Sequence, residues 1–150
     1  MILKKYIVAS SLLLTSFNLY AATQILNCPQ KFTCQLVANS QGNYSCMTYP
    51  LQSQGWNNQI TGDQPSGPGE VKFSSPVAFI NPQQTFQTQC LYQNAAFGIV
   101  LWTNQPRYVP VLNKGNAWKD SNGNPLKPGE KTTSYCSGTS IQCQMQSTSN

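Results

Sequence analysis

Apolar and polar residues alternate along several parts of the chain, and this period of two is typical of β-strands that bury one face. Between residues 32 and 38 every second position is apolar. The same alternation recurs at 71–79, where Ser75 interrupts it, and again at 84–92 and 141–145. We therefore predict strands over these segments, each with one face toward a core.

Turn-forming residues separate the segments. Asn-Ser-Gln-Gly at 39–42 and Asn-Gly at 122–123 are both typical of hairpin turns. The segment 97–102 is apolar at every position but its glycine, which predicts a central strand, and Pro110 places the strand at 107–113 toward an edge. This spacing of strands and turns predicts a mostly β fold, either a small antiparallel β-sandwich or an open barrel.

The first 22 residues have the pattern of a cleavable signal helix. Lys4 and Lys5 precede an apolar run at 7–19, and Tyr-Ala-Ala follows it. The run is shorter than the roughly 20 residues that a membrane-spanning helix requires. We therefore predict a signal peptide at 1–22 and a single domain at 23–150. We expect this domain to be exported, to be periplasmic or secreted, and to have no transmembrane segment.

The chain has six cysteines and no histidine, and both facts bear on the chemistry that we expect of it. Exported cysteines oxidise, and several of these lie on the apolar phase of predicted strands, where disulfides would cross-link a core. Because Cys34 and Cys46 flank one hairpin, we expect them to pair. The pairs Cys90–Cys136 and Cys28–Cys143 would complete the set, although six cysteines permit many other pairings. A zinc site is disfavoured because histidine and Cys-x-x-Cys motifs are both missing.

The cysteines also carry a resemblance to a family. Cys28-Pro-Gln-Lys-Phe-Thr-Cys34 is followed by Gly42-Asn-Tyr-Ser-Cys46 and Gly55-Trp56, then by a lone Cys90 and two cysteines near the C-terminus. This arrangement resembles small secreted cysteine-rich proteins of gamma-proteobacteria that are grouped as a domain of unknown function. The resemblance covers nearly all of 23–150. It implies export and a β-rich, disulfide-linked fold, and it implies no catalytic residues.

Composition argues against most enzymatic chemistry. Without histidine, Ser–His and Cys–His nucleophiles are impossible. Three serines lie near Lys131 at spacings that are ordinary for turns. None of the four carboxylates lies in an apolar sequence that would raise its pKa, as a glycosidase acid requires. Asp-Ser-Asn-Gly-Asn at 120–124 lacks the later acidic ligand of a calcium loop. We therefore predict no catalytic residue, no metal and no cofactor.

Two tryptophans in polar loops are the candidate binding residues. Trp56 and Trp118 could serve as exposed platforms or fold back as lids over the core, and the lid is the commoner arrangement. Lys114 and Lys119 lie close to Trp118 in the sequence. We predict a contact surface built from these two tryptophans and two lysines. The excess of basic residues is too mild for a nucleic-acid partner.

These observations predict an exported binding protein without catalytic activity, whose partner is a protein or a glycan. Three alternatives remain open. An inhibitor of a host or competitor hydrolase would co-purify with its target. A carboxylate-dependent glycan-acting enzyme would lose activity in a Glu70→Gln or Glu130→Gln variant. A structural or adhesive surface component would self-associate as its concentration rises.

Overall fold

Antiparallel β-sheets make up most of the protein. The computed structural model describes residues 23–83, 88–103 and 107–148, and the predicted signal helix at 1–22 lies outside them. The elements are β1 (Ile25–Leu26), β2 (Lys31–Ala38), β3 (Tyr44–Met47), α1 (Tyr49–Ser53), β4 (Trp56–Gly62), β5 (Gly69–Ser74), β6 (Val77–Ile80), β7 (Thr88–Gln93), β8 (Phe97–Thr103), β9 (Tyr108–Pro110), β10 (Trp118–Asp120), β11 (Ser134–Ser137) and β12 (Met145–Ser147).

Three sheets contain these strands. The largest has six strands in the order β10-β11-β6-β7-β8-β4, and the two smaller ones have the orders β3-β2-β5 and β1-β12-β9. The prediction of a mostly β, antiparallel fold is confirmed. So is the central strand at 97–102, because β8 lies between β7 and β4. The turn at 39–42 joins β2 to β3, with Gly42 at a φ of 78° that suits glycine.

The interruption at Ser75 changes which face of the chain is buried. Ser75 has a φ of 56°, in the left-handed region, and it separates β5 from β6. Phe73 is buried before this break, whereas Ala78 and Ile80 are the buried residues after it. Phe79 consequently lies on the opposite face of β6. The alternation at 71–79 therefore belongs to two strands whose phases differ.

An aromatic layer fills the space between the sheet β3-β2-β5 and the strands β7 and β8. It consists of Phe32, Phe73, Tyr92 and Phe97. The ring centroids of Phe32 and Phe73 lie 5.3 Å apart, and the ring of Tyr92 meets that of Phe32 edge-on at 4.8 Å. The hydroxyl of Tyr92 donates a hydrogen bond to the carbonyl oxygen of Pro29 at 2.6 Å. The layer thus buries its one polar atom with a partner.

Three disulfides join these elements. Cys34 pairs with Cys46 across the β2–β3 hairpin, as predicted. The predicted pairs Cys90–Cys136 and Cys28–Cys143 are wrong, because Cys28 pairs with Cys90 and Cys136 with Cys143. Cys136 and Cys90 both lie opposite Ala78, on the two strands that flank β6. They are therefore two strand spacings apart, about 10 Å, which is too far for a disulfide.

Candidate functional site

Both tryptophans of the predicted contact surface are buried, so neither indole is exposed as a platform for a partner. Trp118 is 1% exposed and Trp56 is 6% exposed. Trp118 lies in β10 opposite Cys136, and its indole Nε1 donates a hydrogen bond to the carbonyl oxygen of Gln144 at 3.2 Å. Each tryptophan therefore closes the core like a lid, which is the arrangement that costs less exposed indole.

The local strands explain this outcome. Trp118 in β10 pairs with buried Cys136, and Trp56 in β4 pairs with Thr103, two residues from buried Leu101, so both indoles lie on the inner face of the six-stranded sheet. Lys119 follows Trp118 and points to the other face, because successive side chains alternate along a strand. Lys114 is exposed in the loop that precedes β10. Because β10 has only three residues, its alternation of buried and exposed side chains could not be recognised from the sequence.

The opposite face of the six-stranded sheet, here the outer sheet face, carries two cross-strand rows. The first row takes one residue from every strand, and it runs from Lys119 through Tyr135, Phe79, Gln89 and Trp102 to Asn57. The second row spans five strands and consists of Ser137, Val77, Leu91, Val100 and Gln59. Lys119 is the one charged residue in the two rows.

Exposure distinguishes this face from the inner one. The six apolar and aromatic residues of the two rows are half-buried, whereas the inner-face residues Ile99 and Leu101 are fully buried. The half-buried set is Val77, Phe79, Leu91, Val100, Trp102 and Tyr135. Gln59, Ser137 and Lys119 are exposed toward the margins. An apolar centre with polar margins is typical of surfaces that contact another macromolecule.

A groove of about 650 Å³ is the second candidate site. It lies between β9, the end of β6, the start of β11 and the loop at 126–132. Three basic residues line it, and we call it the basic groove. The three are Arg107, Lys127 and Lys131, and none of them belongs to the predicted contact surface. The structure places Arg107 beside these two lysines, and Lys114 and Lys119 do not line the groove.

The charges of the basic groove are unbalanced. Glu130 is its one acidic lining residue, and a Glu130 Oε2 atom accepts a hydrogen bond from the backbone N–H of Lys127 at 2.9 Å. Across residues 23–83, 88–103 and 107–148 the single ion pair joins Lys72 to Glu70. Arg107, Lys127 and Lys131 therefore have no ion-pair partner in the described part of the chain.

The floor of the basic groove combines apolar side chains with an unusual hydroxyl. Ile80, Tyr108 and Leu126 are buried there. Burial raises the pKa of the Tyr108 phenol. Ser134 is 1% exposed and also lines the groove, and its hydroxyl has no hydrogen-bond partner among the residues described. Buried hydroxyls are normally paired, so an unpaired one calls for an explanation.

A second unpaired hydroxyl lies in the same cross-strand row. Ser134 on β11 lies opposite Ile80 on β6, and Ile80 lies opposite Thr88 on β7. The Thr88 hydroxyl is buried as well, and the described portions of the chain offer it no hydrogen bond. The two hydroxyls thus flank Ile80 on the inner face of the sheet, at the end nearest the basic groove. Nothing in the sequence pattern marks either residue.

The carboxylates and serines considered for catalysis have other surroundings. Asp120 forms the predicted hairpin turn, where its Oδ1 atom accepts hydrogen bonds from the backbone N–H groups of Asn122 and Asn124. The Asn124 N–H contributes most to lowering the pKa of Asp120. The unpaired Ser134 hydroxyl makes no hydrogen bond to Lys131, so the described residues contain no Ser–Lys pair at this position.

Two further results concern membrane-spanning helices and similarity to known proteins. Within the described ranges, no helix has the length and apolar character that crossing a bilayer requires. Comparisons of the chain with protein-family models, with curated proteins and with solved structures found no match.

Proposed function

We propose that this chain is an exported binding protein without catalytic chemistry, and that it contacts a partner protein through the outer sheet face. The observation that carries the proposal is the set of six half-buried apolar and aromatic side chains on that face, with polar residues and the single charged residue Lys119 at its margins. Interfaces between proteins have this anatomy, because a dehydrated centre supplies most of the binding energy and a polar rim excludes water.

The scaffold suits this role. The rows lie on paired strands rather than on loops, so little conformational entropy is lost when a partner binds. Cys136–Cys143 and Cys28–Cys90 tie β11 and β7, two strands of the same sheet, to neighbouring segments. Three disulfides also support export to the periplasm or the exterior, since such bonds persist in oxidising compartments.

A protein fits the centre of the face better than a glycan does. Val77, Leu91 and Val100 are neighbours in one row, so the centre offers aliphatic surface over three adjacent strands. Sugar hydroxyls placed there would lose water without gaining hydrogen bonds, at a cost of about 1–3 kcal/mol for each unsatisfied group. Apolar side chains of a partner protein would instead gain from leaving water.

The test places a charge at the centre of the face. Oxidised wild-type protein and a Val100→Lys variant are cross-linked in the native surroundings, and captured proteins are quantified by mass spectrometry. Ser66→Lys adds the same charge in an exposed loop and is the matched control. We expect one protein to be captured in a defined ratio by the wild type and the control, and to be lost with Val100→Lys. Denaturant unfolding of each variant verifies that it is folded.

Two results would overturn the proposal. The first is capture that survives Val100→Lys in a folded protein. The second is a glycan array on which the wild type binds and Val100→Lys does not, because the face would then recognise sugar. A captured protein identical to the bait would identify the partner as a second copy of this chain, and sedimentation at several concentrations would measure its affinity.

A further inference from the structure

The basic groove is a separate site from the outer sheet face. Ile80 and Ser134 line the groove from the inner face of the six-stranded sheet, and Phe79, the neighbour of Ile80 in β6, lies on the outer face. We propose that the basic groove binds an organic anion that carries an apolar body, of which a medium-chain carboxylate is the simplest example. The inference does not depend on the proposed protein partner.

The size and floor of the groove fit such a ligand. Its volume of about 650 Å³ falls within the roughly 300–1,000 Å³ that is usual for small-molecule sites. Ile80, Tyr108 and Leu126 supply an apolar floor, and Pro110 and Pro128 line the groove as well. An aliphatic chain laid on this floor would leave water, so affinity should rise with each methylene group that the groove buries.

The charges select an anion. Arg107, Lys127 and Lys131 line the groove against Glu130 alone. The carboxylate of Glu130 is already engaged by the backbone N–H of Lys127. All three basic residues are exposed, so each contributes modestly and salt screens the contribution. A ligand with one negative charge held among the three cations would therefore bind in a salt-dependent manner.

The unpaired Ser134 hydroxyl provides the directional contact. It is buried beside the groove and has no partner in the part of the chain that the structure describes. A carboxylate oxygen that displaced the atoms now covering this hydroxyl would accept its proton in a charge-assisted hydrogen bond, which is stronger than a neutral one. The same contact explains why a buried hydroxyl stands at this position, because without a ligand it only costs free energy.

Calorimetric titration of the oxidised protein with three probes tests the proposal. Octanoate carries both the charge and the chain, octan-1-ol carries the chain alone, and acetate carries the charge alone. We expect octanoate to bind saturably with one site. We expect octan-1-ol and acetate to bind at least about tenfold more weakly, since each lacks one of the two contributions. Raising the salt concentration should weaken the binding of octanoate and leave the binding of octan-1-ol unchanged.

Variants identify the residues. Lys131→Gln and Arg107→Gln should each weaken octanoate binding by about two- to fivefold. Lys114→Gln removes the same charge from an exposed loop outside the groove and should change nothing. Ser134→Ala should weaken the binding of octanoate by about three- to tenfold, because the hydrogen bond to the carboxylate is lost. The unfolding midpoint should not fall, because the alanine leaves no unpaired hydroxyl.

The outcomes that contradict the proposal are distinct. If octan-1-ol bound as tightly as octanoate, charge would contribute nothing to binding. If acetate bound as tightly as octanoate, the apolar floor would contribute nothing. If Lys114→Gln lowered the affinity for octanoate as much as Lys131→Gln does, the attraction would come from the net positive charge of the protein and not from the basic groove. Octanoate binding that Ser134→Ala leaves unchanged would remove the hydroxyl from the site. The absence of saturable octanoate binding would overturn the proposal as a whole.

Discussion

Two regions of the core use the inner face of the same sheet and are closed to different degrees. Over β7 and β8, the aromatic layer is covered by the sheet that contains β2, a strand of eight residues. At the end of β6 and β11, the cover comes from β9 and β12, which have three residues each. Three of the four rings of the aromatic layer are buried and that of Phe32 is half-buried, whereas the second region borders the basic groove.

The difference extends to the polar atoms. In the aromatic layer, the Tyr92 hydroxyl is hydrogen-bonded to Pro29. Beside the groove, the hydroxyls of Ser134 and Thr88 are buried and have no partner within the residues described. Natural sequences tend to leave buried polar groups unsatisfied where function requires it. The aromatic layer therefore pairs its buried polar atom, whereas the groove end of the sheet holds two buried hydroxyls whose missing hydrogen bonds cost stability.

Removal of an aromatic ring should give the largest difference in unfolding free energy between the two regions. Phe73→Ala should lower the free energy of unfolding by about 3–5 kcal/mol, because Phe73 is buried and its ring packs against Phe32 and Phe97. Leu126→Ala on the groove floor should cost at most about 2 kcal/mol, since solvent can fill the space that it leaves. Urea unfolding with intact disulfides measures both. Equal losses would show that the groove is as tightly packed as the aromatic layer.

The disulfides extend the comparison from packing to chain connectivity. Cys28–Cys90 anchors the region of the aromatic layer and spans 62 residues, and Cys136–Cys143 spans 7. Loop-closure entropy predicts that removing the first by a double Cys→Ala change costs about 4.3 kcal/mol and removing the second about 2.4 kcal/mol. Unfolding of the two variants, each with the other disulfides verified by mass spectrometry, gives the difference. The reverse order would mean that strain or residual structure outweighs chain entropy.

Tyr92 gives the aromatic layer a sensitivity to alkaline pH. Burial raises the pKa of Tyr92 well above its ordinary value of 10.0, because the phenolate would lose its hydration. The unfolded chain therefore releases this proton first. The stabilising effect is complete below pH 10 and is lost as the pH rises toward the folded pKa, by about 1.4 kcal/mol per pH unit.

Tyr92→Phe isolates this effect. The variant should lose about 1 kcal/mol at pH 7, where the hydrogen bond to Pro29 is missing, and should depend less on pH than the wild type between pH 10 and 11. Unfolding free energies at a series of pH values give both slopes. If the slopes of the two proteins coincide, Tyr92 ionises freely in the folded state and its burial does not disfavour the phenolate.

The same contrast explains what sequence could and could not predict. Alternation in β2 identified Cys34 and Leu36 as buried, and the apolar run at 97–102 identified a central strand. These signals are local. The disulfide pairs depend on which strands are neighbours, and the groove joins Arg107 and Lys131 to Ile80, which lies far from both in the sequence. Such properties arise only when the sheets are assembled.

Two buried threonines allow a hydrogen-bonded hydroxyl elsewhere in the core to be compared with an unpaired one at the groove end of the sheet. Thr48 and Thr88 are both almost completely buried. The Thr48 hydroxyl accepts a hydrogen bond from the side chain of Asn58 at 3.4 Å, whereas the Thr88 hydroxyl has no partner in the described residues. Valine has nearly the shape of threonine, so Thr→Val removes the hydroxyl and leaves the packing unchanged.

We expect Thr48→Val to cost about 1 kcal/mol and Thr88→Val to be neutral or to stabilise by up to about 1 kcal/mol. Guanidinium unfolding of the two variants measures the difference, and equal denaturant slopes verify that neither change alters the unfolded state. A loss with Thr88→Val as large as that with Thr48→Val would show that the Thr88 hydroxyl is satisfied in solution. The groove end of the sheet would then be as fully paired as the aromatic layer, and its open space would reflect only the short length of β9 and β12.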